Sequence, residues 1–208
     1  MTERRAPSTA RRSERARVAI LEAAYDLLLD EGFLAMTIEG IAAKAGVGKQ
    51  TIYRWWPSKS AVVFDAALHA GEQAADSGGL PDTGDLEADL RLVLHAIVDE
   101  LRDERRSAAQ RTIMVESMHD DELAEKVVEH ILRPQLELTK DRLRSAVRAG
   151  QLDRDTDIDT LPDALYGPIF YRWMLRTQPL THAFADQILG TTLGVHKVNQ
   201  RARQGESG

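Results

Sequence analysis

The sequence contains no cysteine, which excludes disulfide bonds, thiolate metal sites and a cysteine nucleophile. It also has no uninterrupted apolar run of about 18 residues and no short apolar segment behind a basic start, so we expect neither a membrane span nor a secretory signal. Aromatic residues make up only 5% of the chain, and the apolar–polar alternation of half-buried strands is nearly absent. We therefore expect a cytoplasmic, all-α protein.

Charge is distributed unevenly along the chain. The formal net charge is −6, with residues 1–60 carrying +3 and the remainder −9. The most basic stretch runs from Arg4 to Arg17 and has little apolar content before Val18. We predict a disordered basic arm at residues 1–12. Such an arm either contacts a polyanion or acts only as a solubilising tail, and its composition alone leaves both interpretations open.

Apolar residues recur at helical spacing over most of the chain. This spacing predicts about nine helices, at residues 13–31, 38–45, 49–55, 59–68, 86–105, 108–118, 121–149, 161–176 and 182–197. Pro134 lies inside the longest of them and has no backbone N–H to donate, so that helix should kink or divide there. The predicted fold is a three-helix bundle at residues 13–60, followed by a larger helical domain at residues 61–208.

The residues that begin and end the first three predicted helices are those expected of a helix-turn-helix. Gly32 and Gly46 follow the first and second helices in the positions where a left-handed residue is needed, and Thr37 precedes the second as its N-cap. In a helix-turn-helix, the second of two short helices enters the major groove of DNA. Spacing alone is weak evidence, because many helical proteins contain short helix pairs that only pack.

Further residues at fixed spacing make the assignment specific. They are Glu31-Gly32-Phe33, Thr37-Ile38, Ile41-Ala42, Ala45-Gly46-Val47, Thr51-Ile52-Tyr53 and Trp56-Pro57-Ser58-Lys59. In this order they resemble the DNA-binding part of TetR-family repressors, over about residues 15–68. The chain departs from the family pattern at Trp55 and Trp56, where histidine and phenylalanine are more common, and at Gly48, where serine commonly caps the recognition helix. Trp56 can fill the phenylalanine's core position, whereas Trp55 leaves the base preference open.

The resemblance implies that the third helix reads base edges from its groove-facing side. Gln50 can bond bidentately to adenine, the Thr51 methyl can contact the thymine methyl, and Lys49 can reach guanine or a phosphate. These three residues are expected to specify sequence.

Other residues around this helix are expected to hold the DNA backbone. Thr37, Tyr53 and Lys59 are placed to bind phosphates, helped by the N–H groups at helix N-termini. Arg54 either contacts DNA or is an ordinary solvated charge. The complete predicted set of DNA-binding residues is Thr37, Lys49, Gln50, Thr51, Tyr53, Arg54, Trp55 and Lys59.

One helix-turn-helix reads only a few base pairs, so the resemblance implies a homodimer on a palindromic operator in double-stranded DNA, with half-sites roughly 34 Å apart. In the family, the last two long helices form a four-helix bundle between subunits. The motifs Gly150, Leu152, Gly167-Pro168, Tyr171-Arg172, Pro179-Leu180 and Phe184-Ala185-Asp186 resemble one subclass there. Two apolar stripes form the predicted interface: Leu161, Leu165, Ile169, Trp173, Phe184, Ile188, Thr192 and Val195. Alternatively, these stripes only close the core of each monomer.

The resemblance also implies a small, largely apolar effector in a cavity between the middle helices. Candidate ligand-binding residues are His95, Arg111, Met114, Met118, Tyr166, Phe170 and Trp173. Each of them also has an ordinary interpretation as a core or surface residue. Ligand binding would shift the helix that begins near Lys59, so that two recognition helices no longer match the groove spacing.

Two other classes of protein are alternatives to a ligand-responsive repressor. An enzyme is suggested only by scattered histidines and by acidic stretches such as Asp153–Asp159, and no His-Glu-x-x-His, phosphate-binding glycine loop or Gly-x-Ser-x-Gly is present. We therefore predict no catalytic residue, no metal site, no cofactor and no enzymatic activity. An architectural protein that coats DNA without sequence preference is disfavoured by the acidic C-terminal part.

Overall fold

The computed structural model describes residues 8–74 and 80–196. Within these ranges the chain forms ten α-helices and one π-helical turn, and no β-strand. The α-helices are α1 (Ser8–Asp30), α2 (Ile38–Ala45), α3 (Lys49–Tyr53), α4 (Lys59–Ala74), α5 (Leu86–Arg102), α6 (Glu104–Ser117), α7 (Asp121–Val127), α8 (Arg133–Arg148), α9 (Leu161–Leu175) and α10 (His182–His196). The predicted all-α class is confirmed.

The helix predicted over residues 121–149 is divided close to its proline. Helix α7 passes into the π-helical turn Val128–Leu132, and α8 then begins with Pro134 in its first turn. The first turn is where a missing N–H does least harm, since those N–H groups have no partner within the helix. The predicted interruption is confirmed, and it accounts for the tenth helix.

Helix α1 is longer than the sequence pattern suggested. It begins at Ser8, so residues 8–12, which were predicted to belong to a disordered arm, are helical. The reason is local, because alanine and arginine are good helix formers and serine and threonine suit a helix start. Residues 1–7 of the predicted arm lie outside the described residues.

The described chain divides into two compact units, and the first contains α1 to α4 together with α6 and α7. One hydrophobic core joins these helices, and it includes Ile20, Leu21, Ile41, Ile52, Trp56, Val62, Phe64, Ile113, Leu123 and Val127. Helices α2 and α3 have only 8 and 5 residues, too few to close a core with α1 alone. Helices α4, α6 and α7 supply the missing apolar surface, so the compact unit extends beyond the predicted 13–60 domain.

The second unit contains α5, α8, α9 and α10. Helix α5 packs against α8 and α10, and α9 packs against the same two helices. A buried ion pair fastens α5 to α8: Arg142 Nε lies 2.8 Å from Asp89 Oδ2, and both side chains are 2% exposed. Burial opposes the charge on Asp89, but hydrogen bonds from Thr83 and Arg142 outweigh it and hold the pKa of this carboxyl below its ordinary value.

Candidate nucleic-acid interface

The turn between α2 and α3 is fixed by backbone hydrogen bonds. Gly46 has φ 67° and ψ 33°, the left-handed conformation that suits glycine. Its N–H donates to the Ala43 carbonyl at 3.3 Å, and the Val47 N–H donates to the Ala42 carbonyl at 2.9 Å. These two bonds form a Schellman motif, which ends α2 sharply and turns the chain into α3. The predicted role of Gly46 is confirmed.

Helix α3 has one buried side and one exposed side. Ile52 is fully buried in the core of the unit, while Lys49, Gln50, Tyr53 and Arg54 are exposed and Thr51 is half-buried. Five of the eight predicted DNA-binding residues therefore lie on or beside the face that α3 presents to solvent. Their geometry provides amide, hydroxyl and cationic groups on a helix narrow enough to enter the major groove.

Lys49 forms an exposed ion pair with Glu39 on α2, with Nζ 3.2 Å from Oε1. A hydrogen bond from its own backbone N–H to the carboxylate, and then the hydrogen bond and charge of Lys49, lower the pKa of Glu39. Exposed ion pairs contribute little to stability. Lys49 can therefore exchange this carboxylate for a phosphate at small cost.

Thr37 caps α2 as the sequence predicted. Its Oγ1 accepts a hydrogen bond from the Gly40 N–H at 3.0 Å, so the start of α2 is held in place. A Cβ at Gly40 would lie 3.3 Å from this oxygen, tighter than ordinary contact. The hydroxyl hydrogen of Thr37 remains able to donate to an anion at the helix N-terminus.

Lys59 has a structural role that the sequence did not reveal. Its Nζ donates to the carbonyl oxygens of Phe33 at 2.6 Å and Met36 at 3.1 Å, and lies 4.1 Å from the centroid of the Phe33 ring. The half-buried lysine thus closes the loop between α1 and α2. An ammonium group has three N–H donors, which leaves one for the predicted phosphate contact.

Trp55 and Trp56 occupy different environments. Trp56 is 4% exposed and belongs to the core, as expected for a residue replacing phenylalanine. Trp55, predicted to contact DNA, is half-buried and packs against the core, with its ring edge-to-face on Trp56 at 5.4 Å and 81°. Arg54 lies over the Trp55 ring, with its guanidinium carbon 5.7 Å from the ring centroid.

Sequence reasoning missed one residue that supports this surface. Asp65 on α4 accepts a hydrogen bond from the Trp56 indole N–H at 2.7 Å. A signal was available, since a tryptophan at a core position requires an acceptor for its N–H. The spacing of nine residues between them gave no indication that Asp65 would supply it.

The seven predicted ligand-binding residues are divided between the two units. In the first unit, Arg111 donates to Ser107 at 2.7 Å, Met114 is half-buried against the core and Met118 is 67% exposed. A groove of about 340 Å³ does occur in this unit between α1 and α4. Its lining includes Leu21, Glu22, Tyr25 and His69 but none of the predicted ligand residues.

The other four ligand candidates belong to the second unit. His95 stacks on His182, with centroids 4.1 Å apart, and its Nε2 lies 2.9 Å from Asp186 Oδ1. The Tyr166 hydroxyl shares a 2.7 Å hydrogen bond with Thr139. Phe170 is 42% exposed, whereas Trp173 is only 6% exposed. Trp173 is therefore a core residue of the unit.

The predicted dimer stripe on α9 requires correction. Its members are buried within the single chain: Leu161, Leu165, Ile169 and Trp173 have exposures of 2%, 0%, 2% and 6%. They fill the core of the second unit, so they have almost no surface left for a partner. On α10, Ile188 is 7% exposed, while Phe184 and Thr192 are half-buried; the side chain of Val195 lies outside the described residues. Periodicity identified a buried face but assigned it to the wrong neighbour.

Within residues 8–74 and 80–196, no three histidine or acidic side chains are grouped so as to hold a metal ion. No helix in these ranges is both long and apolar enough to cross a membrane.

A short helix exposed after a left-handed glycine turn, with a buried isoleucine on its inner side, has the geometry of a helix-turn-helix, the motif with which many regulators bind DNA. Comparison with known proteins specifies the family. Residues 20–66 match the model for bacterial regulatory proteins of the tetR family, and residues 80–192 match the model for the tetracyclin repressor-like C-terminal domain. The chain belongs to the TetR family and is a DNA-binding transcriptional regulator.

Individual relatives agree with this assignment. The HTH-type transcriptional regulator YdeS of Bacillus subtilis is 34% identical over 186 residues, which cover 88% of this chain and 91% of YdeS. The DNA-binding transcriptional repressor TetR of Mycobacteroides abscessus is 29% identical over 186 residues, 88% of this chain and 94% of that protein. The crystal structure of the TetR family transcription regulator SCO0332 superposes with a TM-score of 0.69 at 32% identity, covering 86% of this chain and 97% of that one.

Proposed function

We propose that this regulator is a cytoplasmic repressor that binds a palindromic operator as a homodimer and is released by a small, largely apolar ligand. The observation that carries the DNA-binding part is the exposed face of α3, where Lys49, Gln50, Tyr53 and Arg54 project from a helix anchored by the buried Ile52. The ligand-responsive part is supported by the family's C-terminal domain, matched over residues 80–192.

We assign base reading to the N-terminal half of α3. Gln50 pairs with adenine, the Thr51 methyl contacts thymine, and Lys49 leaves Glu39 for guanine or a phosphate. Around it, Thr37, Tyr53 and the third donor of Lys59 hold phosphates. The first group sets the sequence, and the second sets the register on the duplex.

The dimer interface is reassigned to the outward face of α9 and α10. On α9, Ala164, Pro168, Tyr171 and Leu175 are exposed at spacings of four, three and four, with Gly167 beside them. On α10, Ala183, Gln187, Thr191 and Gly194 are exposed at spacings of four, four and three, with Gly190 beside them. Tyr171 and Leu175 are 59% and 61% exposed, and the small residues on α10 would let a second helix pair approach closely. A two-fold arrangement would bury both faces at once.

Selection from random duplexes tests the proposed DNA recognition. The full chain should recover a sequence with dyad symmetry and half-sites one helical turn apart. Gln50→Ala should relax the preference at one base pair in each half-site, by about 1–3 kcal/mol of discrimination. Recovered pools without symmetry, or a Gln50→Ala loss spread evenly over all base pairs, would contradict direct reading by a dimer.

Sedimentation tests the reassigned dimer face separately. Tyr171→Asp should convert the dimer into a monomer, because it would place charges at the centre of an apolar contact. Leu92→Asp is the matched control, since Leu92 on α5 is 63% exposed and lies outside the proposed face. Dissociation by both variants, or by neither, would count against this face.

The packing of α6 supports the proposal that a ligand releases the protein from DNA. Its residues Ala109 and Ile113 are each 4% exposed and share a core with α1 and α4. Ser60 at the start of α4 also donates to Glu116 on α6 at 3.3 Å. A ligand that displaces α6 would therefore disturb the helices that carry α3, and DNA affinity would fall.

A further inference from the structure

Trp56 brings one polar atom into an otherwise apolar position. A phenylalanine would fill the same core space without an N–H, so the indole nitrogen is the distinguishing feature of this chain. Its N–H donates to Asp65 Oδ2 at 2.7 Å, while the ring is 4% exposed. A buried N–H without an acceptor is costly, so this bond fixes how the ring is oriented as well as where it lies.

The orientation of Trp56 affects the exposed end of α3 through the Trp55 ring. The rings of Trp55 and Trp56 meet edge to face at 81°, an arrangement that depends on the direction of both rings. Arg54 then lies over the Trp55 ring at 5.7 Å. Asp65, Trp56, Trp55 and Arg54 therefore form a continuous series of contacts from α4 to the predicted DNA-binding surface.

Asp65 itself is held by its own surroundings. Its neighbours Phe64 and Ala66 are each 1% exposed, so the backbone of α4 is fixed on both sides of it. Lys126 on α7 contributes a nearby positive charge: the hydrogen bond from Lys126 to Glu122, and then the charges of Glu122, Asp65 and Asp120, raise the pKa of Lys126 against the effect of burial. The Asp65 carboxylate is thus held in place to accept the hydrogen bond from Trp56.

We propose that Asp65 is a positioning residue for DNA recognition, which acts through the Trp56 indole and the Trp55 ring to hold Arg54 against a backbone phosphate. The inference rests on the proposed DNA-binding function and deepens it. Arg54 follows the last residue of α3 and terminates it as the C-cap, which places it at the edge of the groove-facing surface. An arginine held over an indole keeps its N–H edge available for a phosphate.

Electrostatics alone predicts the opposite result for removal of the carboxylate. Taking a negative charge out of a DNA-binding domain should strengthen binding to a polyanion. The positioning role predicts weaker binding. The direction of the effect for Asp65→Ala therefore distinguishes the two.

The test measures the affinity of the full chain for its selected operator, at several salt concentrations and well below the unfolding temperature of every variant. Asp65→Ala and Trp56→Phe should each weaken binding by ~10-fold, and the double variant should be no weaker than either. Asp65→Asn retains an acceptor oxygen and should bind within ~3-fold of the wild type. Glu125→Ala, which removes a charge from an exposed site on α7, is the control and should not weaken binding.

The salt dependence separates positioning from a loss of folded protein. Asp65→Ala and Arg54→Ala should each lower the salt slope by about one, and the two changes together should lower it no further. A merely destabilised protein would bind less but keep its slope.

The inference is overturned if Asp65→Ala binds as tightly as wild type, if Asp65→Asn is as weak as Asp65→Ala, if the double variant loses ~100-fold, or if the slope of Asp65→Ala is unchanged. A wild type with no sequence preference would overturn the proposed function and this inference together. A sequence-specific wild type with an unaffected Asp65→Ala would overturn this inference alone.

Discussion

Replacing Lys59 by methionine tests whether the loop between α1 and α2 depends on a single ammonium group. Methionine keeps most of the side-chain length but removes the donors that reach the carbonyl oxygens of Phe33 at 2.6 Å and Met36 at 3.1 Å. Hydrogen bonds involving a charged group contribute about 1.5–3 kcal/mol, and a cation–π contact about 0.5–1 kcal/mol. Because the lysine is half-buried and water competes for it, we expect a combined loss of about 2–3 kcal/mol.

This loss should be visible in thermal unfolding followed by circular dichroism. In a protein of this size, each kcal/mol corresponds to roughly 2–4 °C, so Lys59→Met should lower Tm by about 5–10 °C. Lys44→Met is the control, because Lys44 forms an exposed ion pair with Asp26, and its loss should change Tm little. A Tm for Lys59→Met within about 2 °C of the wild type would refute the loop-closing role.

DNA binding by the same variant tests the third donor. If that donor holds a phosphate, the salt slope of operator binding should fall by about one. A lowered Tm with an unchanged slope would remove Lys59 from the interface and leave it a purely structural residue.

Three further expectations concern backbone conformation and acid stability. Gly48 is the N-cap of α3 and has an extended backbone, no side-chain hydrogen bond and open space where a Cβ would lie. Gly48→Ser should therefore raise the free energy of unfolding by about 0.5–1 kcal/mol, measured by urea titration. A lower free energy of unfolding would contradict the cap geometry. Gly46→Ala should lower it by about 1–2 kcal/mol, because φ is 67° there, and an unchanged midpoint would argue against the left-handed turn. The lowered pKa of Asp89 stabilises the fold above the ordinary aspartate pKa, and this contribution is lost as pH falls below about 4. The stability difference between wild type and Asp89→Asn, measured by unfolding across this range, should shrink in acid, and a constant difference would contradict the ion pair with Arg142.

The features that the sequence predicted well are those set by near neighbours. Thr37 as a cap, Gly46 as a left-handed turn, Ile52 as the inner residue of α3 and the break at Pro134 each depend on only a few adjacent residues. The chemistry of those residues restricts φ and ψ or requires a partner within one helical turn. Such local requirements are readable before any tertiary contact is known.

The features that it predicted poorly depend on contacts distant in sequence. The spacing of Leu161, Leu165 and Ile169 shows that one face of α9 is buried, but not whether a partner chain or the same chain covers it. Lys59 reaches carbonyls 26 and 23 residues away, and Asp65 on α4 accepts from a tryptophan in the turn between α3 and α4. Residue type and spacing carry no information about such pairings, so these roles became visible only in three dimensions.

The inclusion of α6 in the same unit as α3 sets an energetic condition on the proposed ligand response. A tenfold fall in DNA affinity requires a difference of only about 1.4 kcal/mol between two states. The exposed ion pair of Arg105 with Asp30 is worth about 0–1 kcal/mol, and the half-buried hydrogen bond of Ser60 with Glu116 about 0.5–1.5 kcal/mol. Exposing Ile113, which is 4% exposed, would cost more, about 1.5–3 kcal/mol. We therefore expect release from DNA to come from a small displacement of α6 that breaks its polar contacts and keeps Ile113 buried. The loss of these contacts can already supply the required difference of about 1.4 kcal/mol.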